Sequence, residues 1–328
     1  MTKLVRIIKE GIYQNYSPQE LIQNNSNKFN NWSCSAGSEG LFIDWAGSVW
    51  PATCTVGKQA YYMGNVNDDK PIKLLTDYIK CKWEYCPCLV EIYLPKFKDN
   101  SEQLTETTEG EVSTTDFDAT TRALTDDRNR KYIMWAFGRK CNFSCSYCDD
   151  HSHSKDDKDI VPAHAIQKVT EYSNQYRSNK QIMWTFTGGE PTINSLFLPF
   201  AKDLYSKGDI ITVATNGSAS GDYYHELAQV ANINISVHFE FLKPEKLRRV
   251  AERILELKPD WFGLNFMIMP NQAETCLKYI EALKDLPNFK THTKLHFDIL
   301  RIKNTETYEL YSDHDREIIN MLQTDNYE

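Results

Sequence analysis

Three cysteines within eight residues, Cys141-Asn142-Phe143-Ser144-Cys145-Ser146-Tyr147-Cys148, are the densest set of soft ligands in the chain. Three thiolates can hold three irons of a cubane cluster and leave the fourth iron to an outside ligand. The same thiolates, joined by His151 or His153, could instead hold a structural zinc. Zinc knuckles usually come as paired C-x-x-C turns in small modules, so a single triplet favours the cluster. A second group, Cys34, Cys54, Cys81, Cys86 and Cys88, lies ahead of the triplet. Those five suffice for one four-thiolate centre, zinc or iron–sulfur. Cysteines grouped in this way read as metal ligands before disulfides. The ninth, Cys276, falls on the apolar stripe of a helix and reads as a core thiol.

The elements that must position the triplet are legible as an alternation. Short apolar runs at Tyr132–Phe137, Gln181–Phe186, Ile210–Thr215, Asn232–His238, Trp261–Ile268 and Lys294–Ile302 read as strands, with helical patterns between them. Leu247, Val250, Ala251, Ile254 and Leu255 give one helix a one-sided stripe, with Pro244 at its first turn. Phe197, Phe200, Ala201 and Leu204 do the same for an earlier helix, and Ala273, Cys276, Leu277, Ile280 and Leu283 for a later one. Such alternation predicts parallel strands joined by right-handed crossovers. Periodicity leaves open whether they form a doubly wound sheet or an incomplete barrel.

Polar residues collect at the C-terminal ends of these strands, where ligand-binding loops sit. The triplet follows the first strand. Thr187-Gly188-Gly189-Glu190-Pro191 ends the second, and its glycines permit a close backbone approach to a ligand. Thr215-Asn216-Gly217-Ser218 ends the third, and Ser236-Val237-His238-Phe239-Glu240 the fourth. Taken singly, each reads as an ordinary turn or a half-buried strand end; their succession does not.

With its C-x-x-x-C-x-Φ-C triplet and GGEP-like turn, the chain resembles the radical S-adenosylmethionine superfamily over roughly residues 131–302. The resemblance implies an α/β fold: a partial (β/α)6 TIM-type barrel preceded by a small cysteine-rich auxiliary-cluster domain. It implies that Cys141, Cys145 and Cys148 hold a 4Fe–4S cluster and that Tyr147 lies near the adenine of S-adenosylmethionine. Gly188, Gly189 and Glu190 would receive the methionine amino group. Asn216, Ser236 and His238 would approach its ribose or methionine part. Met267 and Met269 read first as core and second as flanking the adenine. Arg301 reads equally as a carboxylate partner or a surface ion pair.

The N-terminal cysteines lie in a pattern, C-x-A-G…L-x-I-D-x-x-G-x-V-x-P-x-x-C…G-N…C-P-C, that resembles the auxiliary-cluster modules called SPASM and twitch. This favours an auxiliary 4Fe–4S cluster over zinc, with Cys34, Cys54, Cys86 and Cys88 as ligands and Cys81 as the replacement for Cys88. In the family such a module follows the barrel; here it precedes it. The segment Leu41–Trp50 between the first two cysteines reads as a hairpin turning near Ala46-Gly47.

Composition sets the outer limits. The net charge is −8, and residues 99–130 hold nine acidic residues against three arginines. That segment is rich in Thr, Asp and Glu and reads as a flexible acidic linker between an auxiliary-cluster domain at 1–98 and the barrel at 131–328. The remainder is close to balance, which gives no signal for a nucleic-acid groove. No apolar run approaches the ~20 residues of a membrane span, and the charged N-terminus is a poor signal peptide, so a cytoplasmic protein is expected. The resemblance implies reductive cleavage of S-adenosylmethionine, a one-electron donor such as flavodoxin or ferredoxin, and hydrogen abstraction from a substrate. A peptide, protein or amino-acid-derived substrate is the leading expectation. A nucleotide, nucleobase or amino sugar is the second, and a non-catalytic iron–sulfur or zinc protein the third.

Overall fold

The computed structural model describes residues 5–9, 12–16, 27–73, 75, 78–86, 94, 96–97, 130–148, 153–299 and 310–324. Cys88, Asp149, Asp150, His151, Arg301 and nearly all of the acidic segment 99–130 lie outside them. The chain divides into two units, Met1–Met134 with Gln167–Met183, and Trp135–Ile166 with Trp184–Glu328.

The first unit opens with β1 (Val5–Lys9) and β2 (Ile12–Tyr16), an antiparallel pair. It continues through β3 (Ser33–Cys34), β4 (Gly40–Ile43), β5 (Ser48–Trp50), β6 (Gly64–Asn65), β7 (Ile79–Lys80) and β8 (Lys96–Phe97). β3 pairs antiparallel with both β7 and β8, which brings segments far apart in sequence to Cys34. The expected hairpin is β4–β5, in register Phe42↔Trp50 and Ile43↔Val49. Asp44 shapes its turn: Oδ1 accepts from the backbone N–H of Ala46 and Ser48, each at 2.9 Å. Gly47 adopts φ 82°, which a residue with a Cβ rarely tolerates.

The strand β9 (Arg130–Ala136) begins two residues before the run expected from sequence and takes in Lys131, which is 0% exposed. A charged residue marks a strand boundary unless its charge is met, and here it is met. Its Nζ donates to Ser38 O at 2.9 Å and lies 4.0 Å from the ring centre of Tyr176. Glu39, ion-paired with Lys180, adds a nearby carboxylate. Burial still prevails and lowers the Lys131 pKa to about 7.

The second unit carries the alternation: α1 (Ala163–Asn174), β10 (Gln181–Thr187), α2 (Phe197–Ser206), β11 (Ile210–Thr215), α3 (Gly221–Ala228), β12 (Asn232–Val237), α4 (Pro244–Leu255), β13 (Phe262–Ile268), α5 (Ala273–Glu281), α6 (Phe289–His292), β14 (Thr293–Ile299) and α7 (Asp313–Thr324). The boundary between the units falls inside β9, α1 and β10. From β9 to β14 the strands neighbour one another in sequence order, and β11/β12, β12/β13 and β13/β14 are parallel. A doubly wound sheet reverses its strand order; this one does not. The fold is therefore mixed α/β around a parallel-strand sheet.

Burial follows the pleat. In β12, Ile233, Ile235 and Val237 are buried, while Asn232, Asn234 and Ser236 are half-buried on the other face. All five residues of the α4 stripe are buried. Phe197 and Phe200 of α2 join Trp135, Phe137, Trp184 and Phe186 in an aromatic core, with edge-to-face pairs such as Trp135–Phe137 at 4.9 Å. Each such pair adds about 1 kcal/mol beyond its area. In α5 the buried face runs through Ala273, Cys276, Tyr279 and Ile280, whereas Leu277 is only half-buried. Tyr279 takes the inner place because its hydroxyl reaches Leu242 O, which satisfies a buried phenol. Cys276 is fully buried, and that burial raises its thiol pKa. No helix among the described residues is long and apolar enough to cross a membrane.

Candidate functional site

The triplet loop leaves the end of β9 and is gripped from three sides. Below it lies the turn after β10. Phe137 N donates to Thr187 O at 2.6 Å, Gly189 N to Gly138 O at 3.0 Å and Glu190 N to Lys140 O at 2.8 Å. Cβ atoms at Gly188 and Gly189 would stand 2.6 Å from Gly138 O and 2.2 Å from Lys140 O. The close approach that these glycines permit is thus to the backbone that leads into Cys141, and in this structure they seat the cysteine loop.

Glu190 turns inward and is 1% exposed. Its Oε1 accepts from Thr192 N (3.0 Å), Thr192 Oγ1 (2.6 Å) and Thr215 Oγ1 (2.7 Å), and its Oε2 from Asn216 N (2.6 Å). Burial raises its pKa, and these four donors oppose the rise. The carboxylate thereby ties the turn after β10 to the end of β11. From there Asn216 reaches the loop: its Nδ2 donates to Asn142 Oδ1 at 2.9 Å and lies 3.7 Å from Cys141 Sγ.

The end of β12 grips the other side. Tyr147 and His238 stack at 5.9 Å and share a short contact between the phenol oxygen and Nδ1. Burial lowers the His238 pKa to about 4, so the ring is neutral near pH 7. Glu240 Oε2 accepts the N–H of Ser146, between the second and third cysteines, at 2.8 Å. Phe143 stacks on Phe241 at 5.0 Å, and Ser146 Oγ lies 3.9 Å from Met269 Sδ. Lys155 closes the loop by donating to Cys141 O (2.9 Å) and Phe143 O (2.7 Å). Ser236 sits lower on the half-buried face of β12 and Met267 on that of β13. Sequence reasoning assigned no role to Glu240, Asn142 or Lys155. The available signal for Glu240 was a carboxylate directly after a strand end.

The donor set fits a cluster. Burial raises the pKa of Cys141, and that of Cys145 to about 12, so without metal these thiols keep their protons. Metal binding must displace those protons. Among the described residues no three His, Cys, Asp or Glu side chains converge as a single ion requires.

In the first unit, Cys34, Cys54, Cys81 and Cys86 line one cavity of about 40 Å³. A single water needs only ~10–15 Å³ on that measure. Cys34 arrives on β3 and Cys81 just after β7. Cys54 sits in the single turn Thr53–Thr55, and Cys86 N donates to Asn27 O at 2.9 Å. The structure thus brings together the four N-terminal cysteines that lie among the described residues.

The sequence profile of the Radical SAM superfamily matches residues 135–285. Residues 135–285 thus carry a domain of the radical S-adenosylmethionine superfamily, whose defining cofactors are a 4Fe–4S cluster and S-adenosylmethionine. The chain is 27% identical over 152 residues to the GTP 3',8-cyclase of Rhizobium meliloti, which covers 42% of this chain and 43% of that protein. It is likewise 27% identical over 136 residues to the GTP 3',8-cyclase of Brucella ovis, covering 38% and 39%. The chain therefore spans about four tenths of the length of these curated relatives. The crystal structure of Streptococcus suis SuiB bound to precursor peptide SuiA aligns with a TM-score of 0.44 at 12% identity, over 68% of this chain and 56% of that one.

Proposed function

We propose that the second unit is a partial (β/α)6 barrel that binds a 4Fe–4S cluster through Cys141, Cys145 and Cys148 and binds S-adenosylmethionine beside it. The carrying observation is the seating of that loop by the glycine turn, Asn216 and the end of β12 together. Bound there, a reduced cluster would supply the single electron for cleavage of the sulfonium C5′–S bond of S-adenosylmethionine, with methionine leaving, and so the radical chemistry for hydrogen abstraction from substrate. Gly188, Gly189, Asn216, Ser236 and His238 receive the amino-acid and ribose ends of the cofactor, and Tyr147 its adenine. Glu190 acts by holding the glycine turn and Asn216 in place. The neutral His238 can accept a hydrogen bond without bringing a second positive charge to a sulfonium.

The N-terminal cysteines bind an auxiliary 4Fe–4S cluster on this reading. Cys34, Cys54, Cys81 and Cys86 share a cavity, which supports Cys81 as a ligand; Cys88 lies outside the described residues. The module supports a peptide, protein or amino-acid-derived substrate, with an external one-electron donor. A nucleotide is the second reading, and the relatives named GTP 3',8-cyclase favour it. The test is anaerobic reconstitution, reduction with dithionite and measurement of 5′-deoxyadenosine. About eight irons per chain and cofactor cleavage are expected. Zinc at the triplet and no cleavage would overturn the reading. Stimulation of cleavage by GTP would select the nucleotide, and stimulation by a peptide the other.

A further inference from the structure

The two thiol groups stand in opposite electrostatic surroundings. The cavity shared by Cys34, Cys54, Cys81 and Cys86 is also lined by Lys58, Lys80, Lys82 and Lys96, and no Asp or Glu is among its described lining residues. Two of these ammonium groups are fixed. Lys58 Nζ donates to Cys54 O at 3.2 Å and lies 4.4 Å from the ring centre of Trp83. Lys96 Nζ donates to Leu94 O at 3.1 Å and lies 5.1 Å from the ring centre of Phe29. The Trp83 indole N–H joins Lys58 on Cys54 O, at 3.1 Å. The triplet loop has instead the Glu240 carboxylate on Ser146 N and the buried Glu190 behind Asn216, with the Lys155 ammonium on its backbone carbonyls.

Reducing an iron–sulfur cluster adds one negative charge to it. Nearby cations stabilise that charge and nearby carboxylates oppose it, and net charge with hydrogen bonding sets a cluster's potential. We propose that Lys58, Lys80, Lys82 and Lys96 hold the N-terminal four-thiol centre at a higher reduction potential than the triplet centre, so that it takes the first electron. The proposal rests on the reading that the N-terminal thiols bind an iron–sulfur cluster. Each couple is a single electron, [4Fe–4S]2+ to [4Fe–4S]+, delivered by the reductant with no bond made or broken. A centre poised in this way is suited to accept an electron rather than to supply one.

The test is a dithionite titration of the anaerobically reconstituted full chain, followed by electron paramagnetic resonance at each potential. C141A/C145A/C148A isolates the N-terminal signal, and C34A/C54A isolates the triplet signal. The N-terminal signal should appear at the higher potential. Lys58→Gln with Lys82→Gln should lower its midpoint and leave the triplet midpoint in place, at unchanged iron content. Lys58→Arg, which keeps the charge, should leave both midpoints in place. An N-terminal midpoint at or below that of the triplet, or lysine variants that move neither, would overturn the proposal alone. No iron, or zinc, in C141A/C145A/C148A would overturn the underlying reading and the proposal with it.

Discussion

The triplet loop and the N-terminal thiol cavity solve the same problem by opposite means. The triplet takes its thiols from one eight-residue loop and borrows its rigidity from strand ends that contribute no cysteine. Glu190 ties β10 to β11, Asn216 reaches Asn142, and Glu240 holds Ser146. The N-terminal cavity gathers thiols from positions 34 to 86 through β3 and its two partners, with lysines around them. In one case the sheet supports a local motif; in the other, strand pairing itself assembles the site. Damage should therefore stay local at the first and spread at the second.

The largest expected effect separates the two regions outright. Cys141→Ala should abolish 5′-deoxyadenosine formation to background while the N-terminal cavity keeps its iron, as read by iron analysis of the purified variant. Loss of iron from both would mean that the two regions are not independent.

Next comes the seat of the loop. Gly189→Ala places a methyl 2.2 Å from Lys140 O, a clash with backbone that no rotamer relieves. A destabilisation of about 3 kcal/mol is expected in denaturant titration, with the triplet's iron lost first. An alanine variant with unchanged stability and iron would show that the glycine pair does not seat the loop.

A third prediction concerns the first unit alone. The Lys131 pKa falls from 10.5 to about 7 on folding. Between those values the unfolded chain holds a proton that the folded chain does not, so this group makes stability rise with pH across that window. Buried thiols pull the other way above about pH 8.5, so the informative quantity is wild type minus Lys131→Met. That difference should shift by ~3 kcal/mol in favour of wild type between pH 7 and 9.5. A flat difference would contradict the burial of the charge.

The smallest effect tests the grip from β12. Glu240→Gln keeps an acceptor for Ser146 N and removes the charge. The triplet's iron should be retained, and cofactor cleavage should change by no more than about tenfold.

How much of this was legible in the sequence differs between the regions for the same reason. The triplet, the strand ends and the α2 and α4 stripes are contiguous or periodic, so they could be read directly. Cys81 joining Cys34, Cys54 and Cys86 depends on β3 pairing with β7, a long-range event that no local pattern encodes. The inward turn of Glu190 was hidden because its partners, Thr215 and Asn216, lie 25 and 26 residues away. The sequence pattern leaves Lys131 outside its strand because the rings and the carbonyl that receive its ammonium come from other segments. Tyr279 displaced Leu277 through a hydrogen bond to Leu242, which hydrophobic spacing does not register.

The central claim is that the Cys141–Cys148 loop binds a cluster with an iron position open to S-adenosylmethionine. The most direct measurement is the electron paramagnetic resonance spectrum of the reduced full chain before and after S-adenosylmethionine is added. The account predicts that the triplet signal, the one missing from Cys141→Ala, changes its g values on addition while the N-terminal signal does not. A triplet signal indifferent to the cofactor, or no iron signal from that loop at all, would contradict it.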